Sequence, residues 1–319
     1  MMNEKKQTIS IVISLYNEEE GIRHFWKVLQ NALVDIPHID FELIWVNDGS
    51  LDKTQSLIDE IQSSNRSTNI RNISIEFSRN YGHEAAMIAG IDSAKSDAII
   101  CMDSDLQHPP EKIPDMIKAF ESGTDIVLTN RLSRNDNGFF KKLLTSLFYK
   151  VINLLSENPL HENATDFFLI SKQISEILQS DYRERNRFIR GFIQTIGFNK
   201  TMLEFEAPDR AFGRSNYTYK HLFKLALNAI FSFSNKPLRL SILASAVSIL
   251  FTLTLGGYSL FMYLFGDSPP SGYTTIIIFL SLSFTVLFVL ITILSIYFEK
   301  TISEARQRPI YIIKRKLDA

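Results

Sequence analysis

"IICMDSDLQHPP", residues 99–110, joins an apolar run directly to two aspartates, which indicates a buried β-strand ending at a polar site. In an extended chain residues i and i+2 face the same side, so Asp103 and Asp105 are expected to project together. Two carboxylates that close repel each other unless a cation or a proton lies between them. With Gln107 they offer the oxygen ligands that Mg²⁺ or Mn²⁺ prefers. The alternative is a polar turn that caps a helix starting near Pro109.

The first half of the chain alternates strand-like and helix-like segments. The strand candidates are 9–15, 41–47, 71–78, 96–102 and 124–130. The helix candidates between them are 18–34, 52–64, 82–94 and 110–122. Near-continuous apolar strands separated by helices predict an open, mostly parallel α/β sheet flanked by helices. No G-x-G-x-x-G follows the first strand and no G-x-x-x-x-G-K-[ST] occurs, so neither the usual dinucleotide site nor a P-loop is supported.

Polar residues follow each of the first four strand candidates. They are Tyr16-Asn17-Glu18, Asp48-Gly49-Ser50, Arg79-Asn80 and the Asp103/Asp105 pair. Ligands of open α/β sheets bind outside the carboxyl ends of the strands, so these clusters predict one site. Asp48 either contacts a nucleotide or forms an Asx-type turn in "NDGS", and the two alternatives stay open. Asn17 and Glu20 also fit a capping box for the first helix.

The composition excludes several classes of protein. Lys and Arg number 34 against 35 Asp and Glu, a net charge of −1 that gives no general attraction to nucleic acid. Cys101 is the single cysteine, which excludes an intramolecular disulfide and a cysteine-rich metal site and fits a reducing compartment.

Two C-terminal segments, 238–265 and 273–298, are long and apolar enough to cross a bilayer. Basic residues flank the pair, so the positive-inside rule predicts both termini in the cytoplasm. The predicted organisation is a cytosolic domain over 1–217, a two-helix transmembrane hairpin over 238–298 and a basic tail over 299–319. An amphipathic helix at about 139–156 and a juxtamembrane helix at 218–237 are expected to lie at the membrane surface.

Several motifs together resemble the family-2 glycosyltransferases. They are "SIVISLYNEEE", "VNDGSLDKT", the run from Ser78 to Glu111, "RFIRGF" and "GRSNYT". Over about residues 8–240 the chain is most similar to the membrane-anchored polyprenyl-phosphate glycosyltransferases, which include dolichol-phosphate mannose synthase and bacterial undecaprenyl-phosphate glucosyltransferases. The resemblance implies a GT-A domain, an inverting sugar transfer from a nucleotide-diphosphate sugar to a polyprenyl phosphate, and a lipid-linked monosaccharide for cell-envelope glycans.

The resemblance also implies roles for individual residues. The nucleotide sugar is expected at Leu15, Tyr16, Glu18, Asp48 and Asp103. The metal, Mg²⁺ or Mn²⁺, is expected at Asp103, Asp105 and Gln107, and the lipid phosphate at Arg131, Lys142 and Ser146. The expected catalytic residues are Asp103, Asp105, Arg131 and Asp166. Two departures from the family's pattern affect the residues expected to bind phosphate. Phe168 stands where arginine is common, and Lys142 offers a point charge where the guanidinium of an arginine is usual.

The chemistry of the acceptor shapes the expected mechanism. A phosphomonoester carries about −1.5 to −2 charges at neutral pH and is already a nucleophile. Asp103, Asp105 and Arg131 are therefore expected to act by positioning and charge stabilisation, with Asp166 a weaker candidate for a base or an orienting group. For His83 and His108, local hydrogen bonding is the favoured interpretation over a catalytic one.

The expected partners are a UDP-sugar, favoured over a GDP-sugar, a polyprenyl phosphate and the inner (cytoplasmic) membrane, without nucleic acid. A homo-oligomer and a flippase are further candidates. Two alternatives stay open: a processive polysaccharide synthase, and a non-catalytic membrane scaffold that binds a nucleotide sugar. The first is disfavoured because "RFIRGF" lacks the tryptophan of a Q-x-x-R-W element.

Overall fold

The computed structural model describes residues 6–65, 67, 69–132, 164–185, 189–206, 236–265 and 272–318. Its strands are β1 (Gln7–Leu15), β2 (Ile39–Asn47), β3 (Ile70–Phe77), β4 (Ala98–Asp103), β5 (Ile126–Arg131), β6 (Ala164–Ser171), β7 (Lys200–Phe205) and β8 (Ile313–Asp318). Its helices are α1 (Ile22–Val34), α2 (Thr54–Ser64), α3 (His83–Ser93), α4 (Ile113–Glu121), α5 (Lys172–Ser180), α6 (Ile189–Thr195), α7 (Lys236–Phe265) and α8 (Tyr273–Ala305). The chain divides into two compact units, one holding the sheet with α1–α6 and the other holding α7 and α8.

The strands form one eight-stranded sheet in the order β7-β5-β6-β4-β1-β2-β3-β8. The central strands β3, β2, β1 and β4 are parallel, whereas β6 runs antiparallel to both β4 and β5 and β8 runs antiparallel to β3. The predicted fold class, a parallel-centred α/β sheet flanked by helices and followed by two apolar helices, is confirmed. The strands β6, β7 and β8 were not predicted.

The central strand β1 is buried on both faces because helices cover both sides of the sheet. Ile9, Ile11 and Ile13 belong to the core that includes Phe25 and Leu29 of α1. Val12 points to the other face, where a Cβ on Gly90 of α3 would lie 2.1 Å from its Cγ1. Successive strand residues point to opposite faces, so a strand covered on both sides needs a continuous apolar run.

The start of α1 corrects one prediction. The helix begins at Ile22 after Gly21 and has no side-chain cap, so Asn17 and Glu20 do not form the expected capping box. Asn17 instead has a φ of 55° and its side-chain oxygen accepts the backbone N–H of Leu51. The asparagine therefore joins two loops rather than starting the helix.

Within its described residues, the second unit contains two helices that could each cross a bilayer. The candidate spans are Ser241–Met262 and Ile278–Ala305, with mean hydropathies of 1.6 and 2.5. In the part of the chain that the structure describes, no residue of either span is buried inside the protein, whereas the core helix of a soluble domain is mostly buried. The predicted amphipathic helix at 139–156 and the juxtamembrane segment up to residue 235 lie outside the described residues.

Candidate active site

The carboxyl ends of the parallel strands bring the predicted site residues to one edge of the sheet. In β1 Leu15 is in register with Asn47 of β2, and Ser14 is in register with Asp103 of β4. The backbone N–H of Asp48, the residue after β2, donates to the Leu15 carbonyl at 2.9 Å. Leu15, Asp48 and Asp103 therefore lie on neighbouring strand ends.

Two further strands extend this edge. Because β6 runs antiparallel to β4 and to β5, the carboxyl end of β5 and the amino end of β6 lie on the same side as the carboxyl end of β4. Asn130 is paired with Ala164, which puts Arg131 and Asp166 close to that edge. We call this edge the strand-end rim, defined by Leu15, Asp48, Asp103, Arg131 and Asp166.

The loops after β1 and β2 are interlocked by hydrogen bonds. The backbone N–H groups of Asn17 and Glu18 donate to the hydroxyls of Ser50 and Thr54, at 2.9 and 2.8 Å. Tyr16, directly before them in the chain, remains 44% exposed, so its ring is available to a ligand. The predicted nucleotide residues Tyr16 and Glu18 thus lie on a loop whose backbone is fixed by the neighbouring loop.

Asp48 is buried and binds the loop after β3. Its two oxygens accept the backbone N–H groups of Tyr81 and Gly82, at 2.6 and 2.9 Å. Burial raises the pKa of Asp48, and the two N–H donors oppose that shift. The Asx-type contact in "NDGS" is made by Asn47, whose side-chain oxygen accepts the Ser50 N–H at 2.9 Å.

Gly49 brings the same two loops into direct backbone contact. Its φ is +67°, and a Cβ there would lie 2.3 Å from the carbonyl carbon of Arg79. A glycine is required on both counts, because L side chains rarely adopt that φ and no space exists for a methyl group.

The turn after β4 carries the aspartate pair. The strand ends at Asp103, so Asp105 lies in a bend and the argument from strand alternation does not apply to it. Asp103 and Asp105 are both partly exposed, whereas Ser104 between them is buried. Two hydrogen bonds close the turn. The Gln107 N–H donates to Asp105 Oδ1 at 3.0 Å, and the Asp103 N–H donates to His108 Nδ1 at 2.9 Å.

The donor chemistry of this turn fits a divalent cation. Within the described residues no group of three or more His, Cys, Asp and Glu side chains could hold a metal ion. The predicted metal ligands include only two side chains of those types, the carboxylates of Asp103 and Asp105, and add the amide of Gln107. Such a set suits a hard ion that keeps water and substrate phosphate in its other positions.

His83, at the start of α3, lies between two predicted catalytic carboxylates. Its Nδ1 is 3.4 Å from Asp103 Oδ1 and its Nε2 is 3.8 Å from Asp166 Oδ2. Ser14 lies between His83 and Asp103, 2.9 Å from the ring Nδ1, and donates to Asp103 at 3.0 Å. Desolvation lowers the pKa of His83, but the charges of Asp103, Asp166 and Glu84 outweigh it, and the net shift is upward.

Arg190 completes the cluster on the Asp166 side. Its Nε is 3.8 Å from Asp166 Oδ1, and its Nη1 donates to the Ala164 carbonyl at 2.8 Å. Sequence reasoning gave neither His83 nor Arg190 a site role. His83 follows the third strand as the other polar clusters follow theirs, so the strand-end rule could have included it. Lys142 and Ser146, predicted at the lipid phosphate, lie outside the described residues.

Comparisons with known proteins bear on the family of this chain. The model of "Glycosyl transferase family 2" matches residues 10–178. An "Uncharacterized glycosyltransferase YkcC" of Bacillus subtilis is 32% identical over 96% of this chain and 93% of its own length. A "Bactoprenol glucosyl transferase" of Shigella phage SfV is 32% identical over 97% of this chain and 98% of its own length.

Among solved structures, the glucosyl-3-phosphoglycerate synthase of Mycobacterium tuberculosis is 18% identical with a TM-score of 0.45, over 70% of this chain and 78% of its own. That enzyme was crystallised with Mn²⁺, UDP-glucose and phosphoglyceric acid. The family model and the two relatives confirm the predicted resemblance and the prediction of a glycosyltransferase. The chain belongs to glycosyl transferase family 2.

Proposed function

We propose that this protein transfers a sugar, with inversion at the anomeric carbon, from a nucleotide-diphosphate sugar to a polyprenyl phosphate. The observation that carries the proposal is the match, over nearly the full length of both chains, to relatives named bactoprenol glucosyl transferase. The names of those relatives put glucose first among the candidate sugars, and a UDP-sugar stays the predicted form of the donor. The strand-end rim supports the proposal because its carboxylates lie at one edge of the sheet, with His83 and Arg190 beside Asp103 and Asp166.

The reaction needs no strong base on the enzyme. An oxygen of the acceptor phosphate forms a bond to C1 of the sugar while the bond from C1 to the donor phosphate oxygen breaks. The electron pair of the broken bond leaves with the nucleoside diphosphate. At neutral pH the acceptor is largely ionised, so the enzyme has to position two anions and stabilise the charge that develops on the leaving group.

The rim residues have distinct parts in this scheme. The Tyr16–Glu18 loop and the Asp48-anchored loop hold the nucleoside, and Asp103, Asp105 and Gln107 hold the metal and the diphosphate. The chemistry supplied by a bound Mg²⁺ or Mn²⁺ is neutralisation of the diphosphate charge. Arg131 lies at the end of β5, suited to the acceptor phosphate with Lys142 and Ser146. His83 and Arg190 hold the Asp166 carboxylate from two sides.

Strand β8 supports a membrane hairpin with both ends on one side. It follows α7 and α8 in the chain, yet it pairs with β3, which precedes them. Two paired strands lie on the same side of any bilayer, so the intervening helices cross it an even number of times. With basic residues flanking the pair, the sheet and the C-terminus are assigned to the cytoplasm.

A turnover assay tests the proposed function. The purified full chain in detergent receives Mg²⁺ or Mn²⁺, undecaprenyl phosphate and a panel of UDP- and GDP-sugars, and both nucleotide release and lipid-linked product are followed. The expected result is one lipid-linked monosaccharide from one donor, lost on chelation. Donor binding without turnover across the panel would favour the scaffold alternative, and products longer than one sugar would favour the synthase.

Labelling of single cysteines tests the hairpin. Cys101 is buried, so it contributes little background to a thiol reagent. In sealed right-side-out vesicles, a membrane-impermeant maleimide is expected to label Ser268→Cys in the connector but not Ser122→Cys on the catalytic domain. Labelling of both variants, or of Ser122→Cys alone, would contradict the topology.

A further inference from the structure

The segment after the second apolar helix, residues 308–318, is part of the catalytic sheet. Its strand β8 pairs with β3 from Ile73↔Asp318 to Phe77↔Ile313. The Ser78 N–H donates to the Ile312 carbonyl at 3.0 Å, so backbone contact continues to the first residue of the loop after β3. We call residues 308–318 the C-terminal segment.

Ion pairs fix the register of this segment. The Arg315 guanidinium donates to both carboxylate oxygens of Asp59 in α2, at 2.7 and 2.6 Å. Arg71 at the start of β3 donates to Asp318, and Lys314 donates to Glu76. Lys314 and Arg315 of the predicted basic tail therefore pair with carboxylates of the catalytic unit.

Tyr311 connects the segment to the loop after β3. Its ring stacks on Phe77 with centroids 5.1 Å apart and an interplanar angle of 9°. Phe77 in turn meets the ring of Tyr81 edge-on at 5.7 Å. The Tyr311 hydroxyl donates to Asp92 at 2.7 Å, and Asp92 also accepts two hydrogen bonds from Arg183, so the tyrosine is held at both ends.

The contacts continue from Tyr81 to the buried carboxylate at the rim. The backbone N–H groups of Tyr81 and Gly82 are the two donors to Asp48, and Arg79 of the same loop touches Gly49. A continuous packed path thus runs from Tyr311 through Phe77 and Tyr81 to Asp48. Packed side chains with defined rotamers transmit position because a protein interior has little free volume.

We infer that Tyr311 is a positioning residue for the donor site: it holds the Ser78–Gly82 loop against Asp48 and thereby sets the affinity for the nucleoside diphosphate. This inference rests on the proposed function for the class of ligand. It gives the chain beyond the membrane helices a part in substrate binding. The expected signature is a change in nucleotide affinity and donor KM with little change in kcat.

The test compares substitutions at the two ends of the same strand pair. Tyr311→Ala removes the ring contact with Phe77, whereas Asp318→Ala removes the ion pair with Arg71 at the end of β3 distant from the loop. For the full chain in detergent with Mg²⁺ or Mn²⁺, calorimetric binding of UDP and GDP and steady-state kinetics are measured. Loss of one aromatic contact that holds the loop is expected to weaken nucleotide binding by about 2- to 12-fold.

Two further variants keep the test decisive. Tyr311→Phe retains the ring and is expected to bind like wild type, while Tyr311→Leu replaces the ring with apolar volume should the alanine variant fail to fold. Asp318→Ala is expected to lower the Tm without changing the nucleotide Kd. Tyr311→Leu or Tyr311→Ala with a lowered Tm but an unchanged Kd and donor KM would overturn the inference.

The wild-type result separates this inference from the proposed function. Wild-type protein that binds UDP or GDP but makes no lipid-linked product would overturn the proposed function, and the variants would still test the role of Tyr311. Wild-type protein that binds neither nucleotide would overturn the inference itself.

Discussion

The charged side chains at the strand-end rim are spaced differently from those that hold the C-terminal segment. At the rim, His83 lies 3.4 and 3.8 Å from Asp103 and Asp166, and Arg190 lies 3.8 Å from Asp166. In the C-terminal segment, Arg315 binds Asp59 through two hydrogen bonds of 2.6 and 2.7 Å. The short contacts join the C-terminal segment to α2, whereas His83 and Arg190 lie at longer distances from the carboxylates of Asp103 and Asp166.

The pKa directions describe the same contrast. Burial raises the pKa of Glu84, next to His83, and the charge of Asp166 raises it further. The hydrogen bond with Asp59 is the main reason that the pKa of Arg315 is raised. The surroundings of Glu84 therefore disfavour its charged form, whereas the surroundings of Arg315 favour its charged form.

The largest expected effect is the loss of turnover on neutralising Asp103. Asp103→Asn keeps an oxygen for the Ser14 hydroxyl but removes the charge, so product formation is expected to fall about 10²- to 10³-fold, as for loss of one electrostatic contact in a transition state. The matched control, Asp59→Asn, neutralises the α2 carboxylate that binds Arg315 of the C-terminal segment and is expected to retain turnover. An Asp103→Asn enzyme with more than about a tenth of wild-type kcat/KM would contradict this role.

The loops after β2 and β3, beside the strand-end rim, are closely packed, and Gly49→Ala measures this packing. The methyl group combines an unfavourable φ with overlap on Arg79, a cost of roughly 2–4 kcal/mol in unfolding free energy. Gly123→Ala is the control, because Gly123 has a φ of +93° but nothing within 4 Å of the added Cβ. Thermal unfolding of both variants is expected to show the larger loss at Gly49, and equal losses would mean that the close approach relaxes at little cost.

A smaller effect is expected on the C-terminal segment itself. Arg315 and Asp59 are more than a third exposed, so solvent screening limits the contribution of their ion pair to about 0.5 kcal/mol. Arg315→Ala is expected to lower the Tm by one or two degrees in low salt, roughly the shift for that energy, and by less in 1 M NaCl. Arg315→Lys keeps the charge but loses the Nε that faces Glu76, so its Tm should lie between those of wild type and Arg315→Ala. A loss that does not depend on salt would indicate packing rather than charge.

The two regions also differ in how far the sequence predicts them. Strands β1 to β5 lie within a few residues of their predicted bounds, because burial on both faces leaves near-continuous apolar runs such as "ISIVISL". Strand β8, "IKRKLD", is an edge strand with almost every residue exposed, so its sequence has no apolar period to detect. The ion pairs that accompany its pairing with β3 join residues more than 200 positions apart in the chain, which a local sequence pattern does not reveal.

The candidate site was also predictable from the sequence only in part. The rule that ligands bind at the carboxyl ends of parallel strands predicted the shared edge for Asp48 and Asp103, and Leu15 was expected there only from the family resemblance. It could not predict that His83 lies between Asp103 and Asp166, because that contact depends on strand β6, which the apolar pattern did not reveal. The roles given to individual rim residues stay predictions until variants are assayed.

The smallest expected effect concerns Glu84 and depends on pH. Its Oε2 accepts the Ile189 N–H at 3.0 Å, a bond that glutamine can also accept. Because the folded-state pKa is raised, the contribution of Glu84 to stability is fully present below the unfolded pKa and is lost as the pH rises through the folded value. Glu84→Gln does not ionise, so the Tm of the variant relative to wild type should be higher at pH 8 than at pH 4.5.

Glu84→Ala separates the charge from the hydrogen bond. It removes the acceptor of the Ile189 N–H, so the alanine variant is expected to be less stable than the glutamine variant at both pH values. A Tm difference between Glu84→Gln and wild type that is the same at pH 4.5 and pH 8 would show that Glu84 is not strained by its surroundings. The contrast between the two regions would then be one of distance alone.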